Sequence, residues 1–312
     1  DKMKLSVKHL RKEFATCLAV DDLSFTIETG EITGFVGPNG AGKTTTMRIL
    51  STIEQCTDGK VELDGKSILE YPELARKHIG YVPDSLPSNS DMTVHEYLDF
   101  FARAYGLKTP HRQDTVSQLE EFTNLVGIKE KYIDSLSKGM KQRVSIARAL
   151  ISNPDFILMD EPAAGLDPRA RIELRELLKV LCEQGKGILI SSHILSELSE
   201  ICTATVIIEK GELLTSGKIE EVVKKSSSSK RVLQIKTLEP NEMLGKKLVL
   251  EPLVDKISVI GNSFEFEYDG TDQQAAELLA MLVKESYPII SFGFKQQNLE
   301  SVFMNITKGD VQ

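Results

Sequence analysis

The stretch Gly37-Pro38-Asn39-Gly40-Ala41-Gly42-Lys43-Thr44-Thr45 follows the apolar run Ile32-Thr33-Gly34-Phe35-Val36 and fits the pattern G-x-x-x-x-G-K-[ST]. That pattern functions only on a loop between a strand and a helix, because successive backbone N–H groups must converge on a polyphosphate at a helix N-terminus. The spacing therefore predicts a strand over 31–36 and a helix from about Lys43. Side chains at Gly37, Gly40 or Gly42 would hold the backbone off the phosphates or demand dihedral angles costly for other residues. Lys43 is then placed to offset charge on the β- and γ-phosphates of a nucleotide, and the Thr44 hydroxyl to ligate Mg2+.

The 312 residues leave room for one large domain and a smaller one. A formal charge of −8 argues against a nucleic-acid surface as the main partner. No apolar run approaches the ~20 residues of a membrane-spanning helix, so any membrane role must rest on another chain. Asp1-Lys2-Met3-Lys4-Leu5 contains no signal-peptide apolar region. Cys17, Cys56, Cys182 and Cys202 form no C-x-x-C pair and read as reduced core residues of a cytoplasmic protein.

Two alternating runs, Lys4-Leu5-Ser6-Val7-Lys8 and Leu23-Ser24-Phe25-Thr26-Ile27-Glu28, predict half-buried antiparallel strands. Phe14, in the turn between them, is either a core aromatic or a face on which an adenine ring stacks. Further strands are predicted over 60–63 and 78–83, and a Pro/Ser/Asn-rich loop follows Asp84. Composition then turns helical, with one helix over 93–105 that carries a Thr93/Glu96 capping box and another over 114–126 ended by Gly127. Residues from about 85 to 152 form a helical insertion in an α/β chain.

The α/β pattern resumes with Phe156-Ile157-Leu158-Met159-Asp160-Glu161, an apolar run suited to a central parallel strand that ends in two acids. A helix follows from Asp167-Pro168 to about Gln184, then strand Gly187-Ile188-Leu189-Ile190-Ser191-Ser192, His193, a short helix over 195–202 and a strand over 205–209. The expected sheet is doubly wound. Asp160 can hold the hydration waters of Mg2+ and Glu161 can polarise an attacking water; on a strand the two would face opposite ways.

The segment Leu136-Ser137-Lys138-Gly139-Met140, opening a helix, resembles the signature of ATP-binding cassette (ABC) ATPases, commonly Leu-Ser-Gly-Gly-Gln. The resemblance spans about residues 5–225 and meets each landmark in order: Phe14, loop 37–45, Tyr81-Val82-Pro83, the signature, Asp160-Glu161, Gly165-Leu166-Asp167 and His193. It implies a P-loop ATPase fold with a mixed core sheet, an antiparallel β subdomain and a helical subdomain. By that likeness, residues 37–45 with Phe14 bind ATP, while Ser137 and Gly139 reach the γ-phosphate held by a second ATP-binding subunit, a homodimer being expected. Asp167 bridges the two sites, Glu161 and His193 are catalytic, and Thr44 and Asp160 serve Mg2+. The implied partners are separate transmembrane permease subunits, with the chain peripheral on the inner, cytoplasmic face of a membrane. The alternative, a soluble ABC ATPase on nucleic acid or the ribosome, usually carries tandem cassettes or a coiled-coil insertion, and neither occurs here.

Three positions depart from the family. Asp84 replaces a Gln that approaches Mg2+, and it either ligates the metal directly or falls short of it; Lys138 and Met140 alter the signature. Ser226-Ser227-Ser228-Ser229 reads as a linker that ends the ATPase domain, 1–225, and precedes a domain over 231–312. That tail predicts a small split βαββαβ α+β fold, and its Leu299-Glu300-Ser301-Val302-Phe303 run resembles the extension of exporter-type cassettes.

Overall fold

The computed structural model describes residues 2–86, 91–194, 198, 201–226 and 231–295. The chain divides into two compact units, Asp1–Ile219 and Glu220–Gln312.

In the first unit the alternating N-terminal runs form one long hairpin, β1 (Lys4–Phe14) and β2 (Cys17–Glu28). The register shifts between Val7 and Leu10, where His9 takes a φ of 50°, and this bulge keeps Leu5, Val7 and Leu10 buried despite their broken alternation. The next strand, β3 (Ile32–Val36), is buried throughout and leads through the phosphate loop into α1 (Lys43–Leu50). Strands β4 (Asp58–Leu63) and β5 (Lys66–Ser67) complete an antiparallel sheet of order β2-β1-β4-β5. A short helix not expected from the sequence, α2 (Pro72–His78), starts on a proline and precedes β6 (Ile79–Val82).

Helices α3 (Val94–Ala104), α4 (His111–Phe122) and α5 (Lys138–Leu150) build the helical insertion around Val94, Tyr97, Leu98, Val116, Leu136 and Val144. The Thr93/Glu96 capping box is present, with Thr93 Oγ1 accepting from Glu96 N at 3.2 Å and Glu96 Oε2 from Thr93 N at 2.9 Å. Helix α4 stops before the expected Gly127: Asn124 takes a left-handed φ of 55°, and Gly127 lies in the 3-10 turn Val126–Ile128.

The remaining elements of this unit are β7 (Phe156–Met159), α6 (Pro168–Glu183), β8 (Gly187–Ser192), β9 (Ala204–Glu209) and β10 (Glu212–Lys218), and a helix Ile219–Ser226 begins at its last residue. The last two were not expected. The six-stranded sheet has the order β10-β9-β3-β8-β7-β6, parallel except at β10. Phe25 of the hairpin, Met47 and Leu50 of α1, and Phe35, Leu158, Leu189 and Val206 of the parallel strands share one core.

The second unit contains β11 (Arg231–Thr237), helix Glu242–Val249, β12 (Val254–Ile260), β13 (Ser263–Tyr268), helix Asp272–Lys284 and β14 (Ile289–Phe294). Its antiparallel order, β12-β13-β11-β14, is that of the split βαββαβ fold, and Leu233, Ile235, Phe264 and Phe266 pack with Leu244, Leu248, Leu278 and Leu282. The first helix begins at Glu242 because Asn241 caps it, its Oδ1 accepting from Leu244 N at 3.0 Å. The run 299–303, linker residues 227–230 and most of the expected helix over 195–202 lie outside the described residues.

Candidate functional site

Because β3, β8, β7 and β6 are parallel neighbours, their carboxyl ends open on one edge of the sheet, where ligands bind in folds of this type. The segments leaving those ends are the phosphate loop, Ser191-Ser192-His193, Asp160-Glu161 and Asp84.

The loop is shaped by close backbone approach. Gly42 caps α1 at a φ of 100°, and a Cβ there would lie 2.5 Å from the carbonyl oxygen of Ala19 on β2. A Cβ on Gly37 would lie equally close, 2.5 Å, to Ile208 O on β9. Pro38, Asn39, Gly40 and Thr44 are exposed, Thr45 is half-buried, and Ala41 and Lys43 are buried. The Lys43 ammonium donates to Gly37 O at 2.6 Å and Pro38 O at 3.2 Å, and stands 3.5 Å from Glu161 Oε1.

The acid pair differs from the strand-end geometry expected of it. Strand β7 stops at Met159, and Glu161 adopts a left-handed φ of 46°, so strand alternation does not separate the two carboxylates. A single hydroxyl joins the Asp160 carboxylate to the Glu161 backbone instead. Ser191 Oγ donates to Asp160 Oδ1 at 2.7 Å and accepts from Glu161 N at 2.8 Å. Asp160 is 1 % exposed, and its own N–H donates to Val82 O at 2.9 Å. Glu161 Oε2 lies 2.9 Å from His193 Nδ1; with a carboxylate as acceptor, Nδ1 carries the hydrogen and Nε2 is the ring atom left for a ligand. Glu161 Oε1 is buried and accepts no hydrogen bond.

Asp84 is exposed and accepts from Ser85 Oγ at 3.3 Å. It bears on Tyr81, whose phenol is pushed up to about 12 by burial first, then by Asp160 and Asp84, against the opposing charges of Arg48 and Arg148. Phe14 is the last residue of β1 and is 40 % exposed, which rules out the core alternative; the Lys12 ammonium sits 4.6 Å from its ring centroid. Cys17, paired opposite Phe14, is exposed, and this corrects its expected core placement: it lies at the hairpin end, beyond Arg11, the last β1 residue paired with β4. Cys56 and Cys182 are half-buried, and only Cys202 is fully buried among the four cysteines.

The signature residues stand apart from this cluster. Ser137 is exposed and caps α5, its Oγ accepting from Met140 N at 3.3 Å, while Gly139 is half-buried. A Cβ on Gly165 would meet the Lys138 ammonium at 2.9 Å, so the Lys138 side chain lies across that glycine. Asp167 is exposed and caps α6, accepting from Ala170 N at 2.9 Å. Among the described residues no hydrogen bond or ion pair links Ser137 or Gly139 to Lys43, Glu161 or His193.

Sequence reasoning missed Ser191. The signal was a hydroxyl ending the apolar strand Gly187-Ile188-Leu189-Ile190, since a polar group there is buried and needs a partner.

A parallel strand, a phosphate loop and a helix, with carboxylates at the end of another strand of the same sheet, define a P-loop nucleotide hydrolase. The family model described as ABC transporter matches residues 20–164. The Nod factor export ATP-binding protein I of Ralstonia nicotianae is 32% identical over 303 residues, covering 97% of this chain and 93% of that protein. Its namesake from Rhizobium sp. is 31% identical over 315 residues, covering 100% and 99%. Among solved structures, an ATP-binding subunit of an ABC transporter superposes with a TM-score of 0.64 at 30% identity over 71% of this chain and 92% of that one. The cassette MJ0796, dimeric and bound to ADP and Pi, gives 0.62 at 25% identity over 69% and 98%. The chain belongs to the ABC transporter family, as an ATP-binding and ATP-hydrolysing subunit.

Proposed function

We propose that ATP binds along the strand-end edge with its phosphates in the loop Gly37 to Thr45, and that two copies of the chain, facing head to tail, complete two sites that drive export through separate permease subunits. The observation that carries this reading is Glu161 Oε1, which faces the Lys43 ammonium at 3.5 Å yet accepts no hydrogen bond, while His193 holds Oε2. An acceptor left open beside the phosphate loop is where an attacking water can give up its proton. The His193 bond to Oε2 orients the carboxylate for that role. A γ-phosphate entering the loop gives Lys43 an anionic partner in place of the Gly37 and Pro38 carbonyls, separating it from Glu161.

Mg2+ suits the residues present. No cluster of three or more His, Cys, Asp or Glu is positioned to hold a metal among the described residues, and Mg2+ needs none, because it takes one or two protein oxygens together with phosphates and water. Thr44 and the buried Asp160 would hold it, with Asp84 as an additional anionic contact; when bound it neutralises charge building on the phosphates. Ser137 and the Gly139 N–H, at an outward-facing helix start, suit the γ-phosphate of a second subunit, and the exposed Phe14 suits an adenine face.

Export rests on the names of the relatives, and a permease partner also on the cbiO1 structure, whose description makes it part of the transporter complex cbiONQ. No helix among the described residues is long and apolar enough to cross a membrane. The chain then docks from the cytoplasm on the inner membrane face.

Glu161→Gln is the test. Turnover should fall by about 10²- to 10⁴-fold with ATP binding retained and an ATP-dependent dimer trapped, seen by light scattering. Turnover close to the parent's would assign the water to another group.

A further inference from the structure

We propose that Ser191 is a positioning residue for hydrolysis: its one hydroxyl locks the metal-side acid Asp160 and the water-side acid Glu161 into a fixed relation. The inference rests on the reading of Glu161 given above. Ser191 pairs with Phe35 in the phosphate-loop strand and follows Ile190, the partner of Met159 at the last rung of β7. It therefore stands between the strand that carries the loop and the strand that carries the acids. It is 0% exposed, and both capacities of its hydroxyl are used, the O–H on Asp160 Oδ1 at 2.7 Å and a lone pair on Glu161 N–H at 2.8 Å.

The second bond has a conformational consequence. Glu161 is held at a φ of 46°, which a side chain other than glycine resists. Without an acceptor for its N–H, the backbone would relax toward the extended state of β7, and alternation would swing the carboxylate away from Lys43 and His193. The first bond fixes the plane of the Asp160 carboxylate. Ser191 thus passes any shift of one acid directly to the other, although neither of its bonds involves the reacting atoms.

The experiment compares Ser191→Ala and Ser191→Thr in the full chain. In the nucleotide-free protein, deuterium uptake at the Glu161 amide should accelerate in Ser191→Ala and stay slow in Ser191→Thr, which keeps the hydroxyl. For turnover, kcat of Ser191→Ala should drop about 10- to 100-fold, with ATP affinity measured without Mg2+ within about twofold of the parent, and Ser191→Thr should recover most of the loss. Unchanged uptake at Glu161, unchanged kcat in Ser191→Ala, or equal loss in both variants would overturn the proposal, the last by pointing to packing. Amide exchange reads the Ser191 bond whatever Glu161 does in turnover, so a failure of the Glu161 reading stays distinguishable from a failure of this one.

Discussion

The two ends of the proposed nucleotide site are built in opposite ways. Around the phosphate loop, Lys43, Asp160 and Ser191 are buried and bonded within the chain at 2.6 to 2.8 Å. At the start of α5, Ser137 is exposed, and its hydroxyl's cap, accepting from Met140 N, is long at 3.3 Å. One end is preorganised before any ligand arrives, since its donors and acceptors are already desolvated and aimed. The other is the start of a helix whose capping residue, Ser137, is exposed to solvent. A chain that finishes half of a site so completely and leaves the other half open suits assembly with a second copy.

The largest expected effect would break the rigid end. Gly42→Ala puts a Cβ at a φ of 100° and 2.5 Å from Ala19 O, so the loop or β2 must move. We expect ATP to lose its stabilising effect on the variant, measured as the difference in Tm with and without nucleotide; a parent-like difference would mean that the loop tolerates displacement.

Next in size is a test of sharing between chains. Lys43→Ala and Ser137→Ala each remove one donor to the phosphates and should each lower kcat by about 10²- to 10³-fold. Mixed dimers of the two variants place both lesions in one composite site and leave the second intact. Turnover should therefore recover on mixing; no recovery would put both halves of a site in one chain.

The smallest effect concerns the exposed edge. Asp84→Gln should move the Mg2+ half-saturation of turnover by about tenfold, with ATP binding unaltered. An identical Mg2+ titration would separate Asp84 from the preorganised end.

The phosphate loop and the helix starts were legible because their chemistry is local. The phosphate loop, the Thr93/Glu96 box and the Asp167-Pro168 helix start each declare themselves within a few positions, and each falls where the pattern puts it. Contacts between segments distant in sequence were not legible. Nothing in Asp160-Glu161 announces that the strand stops at Met159, because the left-handed turn at Glu161 is held by Ser191 from another strand. Strand β10 was hidden for a similar reason: Glu212-Leu213-Leu214-Thr215-Ser216 has weak alternation, and its pairing with β9 supplies what periodicity does not. Phe14 shows the same limit at the surface, since an unpatterned aromatic reads equally as core or as a platform until its exposure is seen.

Gly211, between β9 and β10, is buried although it lies in a turn; it donates to Ala41 O in the phosphate loop at 3.1 Å and accepts from Asp21 N on β2 at 2.8 Å. A Cβ there would come within 3.0 Å of Ala19 O, the same carbonyl that confines Gly42. The nucleotide loop is thus buttoned to the hairpin from outside. For anyone engineering the chain, this turn is a mechanical handle on the loop: lengthening it would disturb the Gly211 bonds to Ala41 and Asp21, and so the seat of the loop, without substituting Lys43, Asp160, Glu161 or His193.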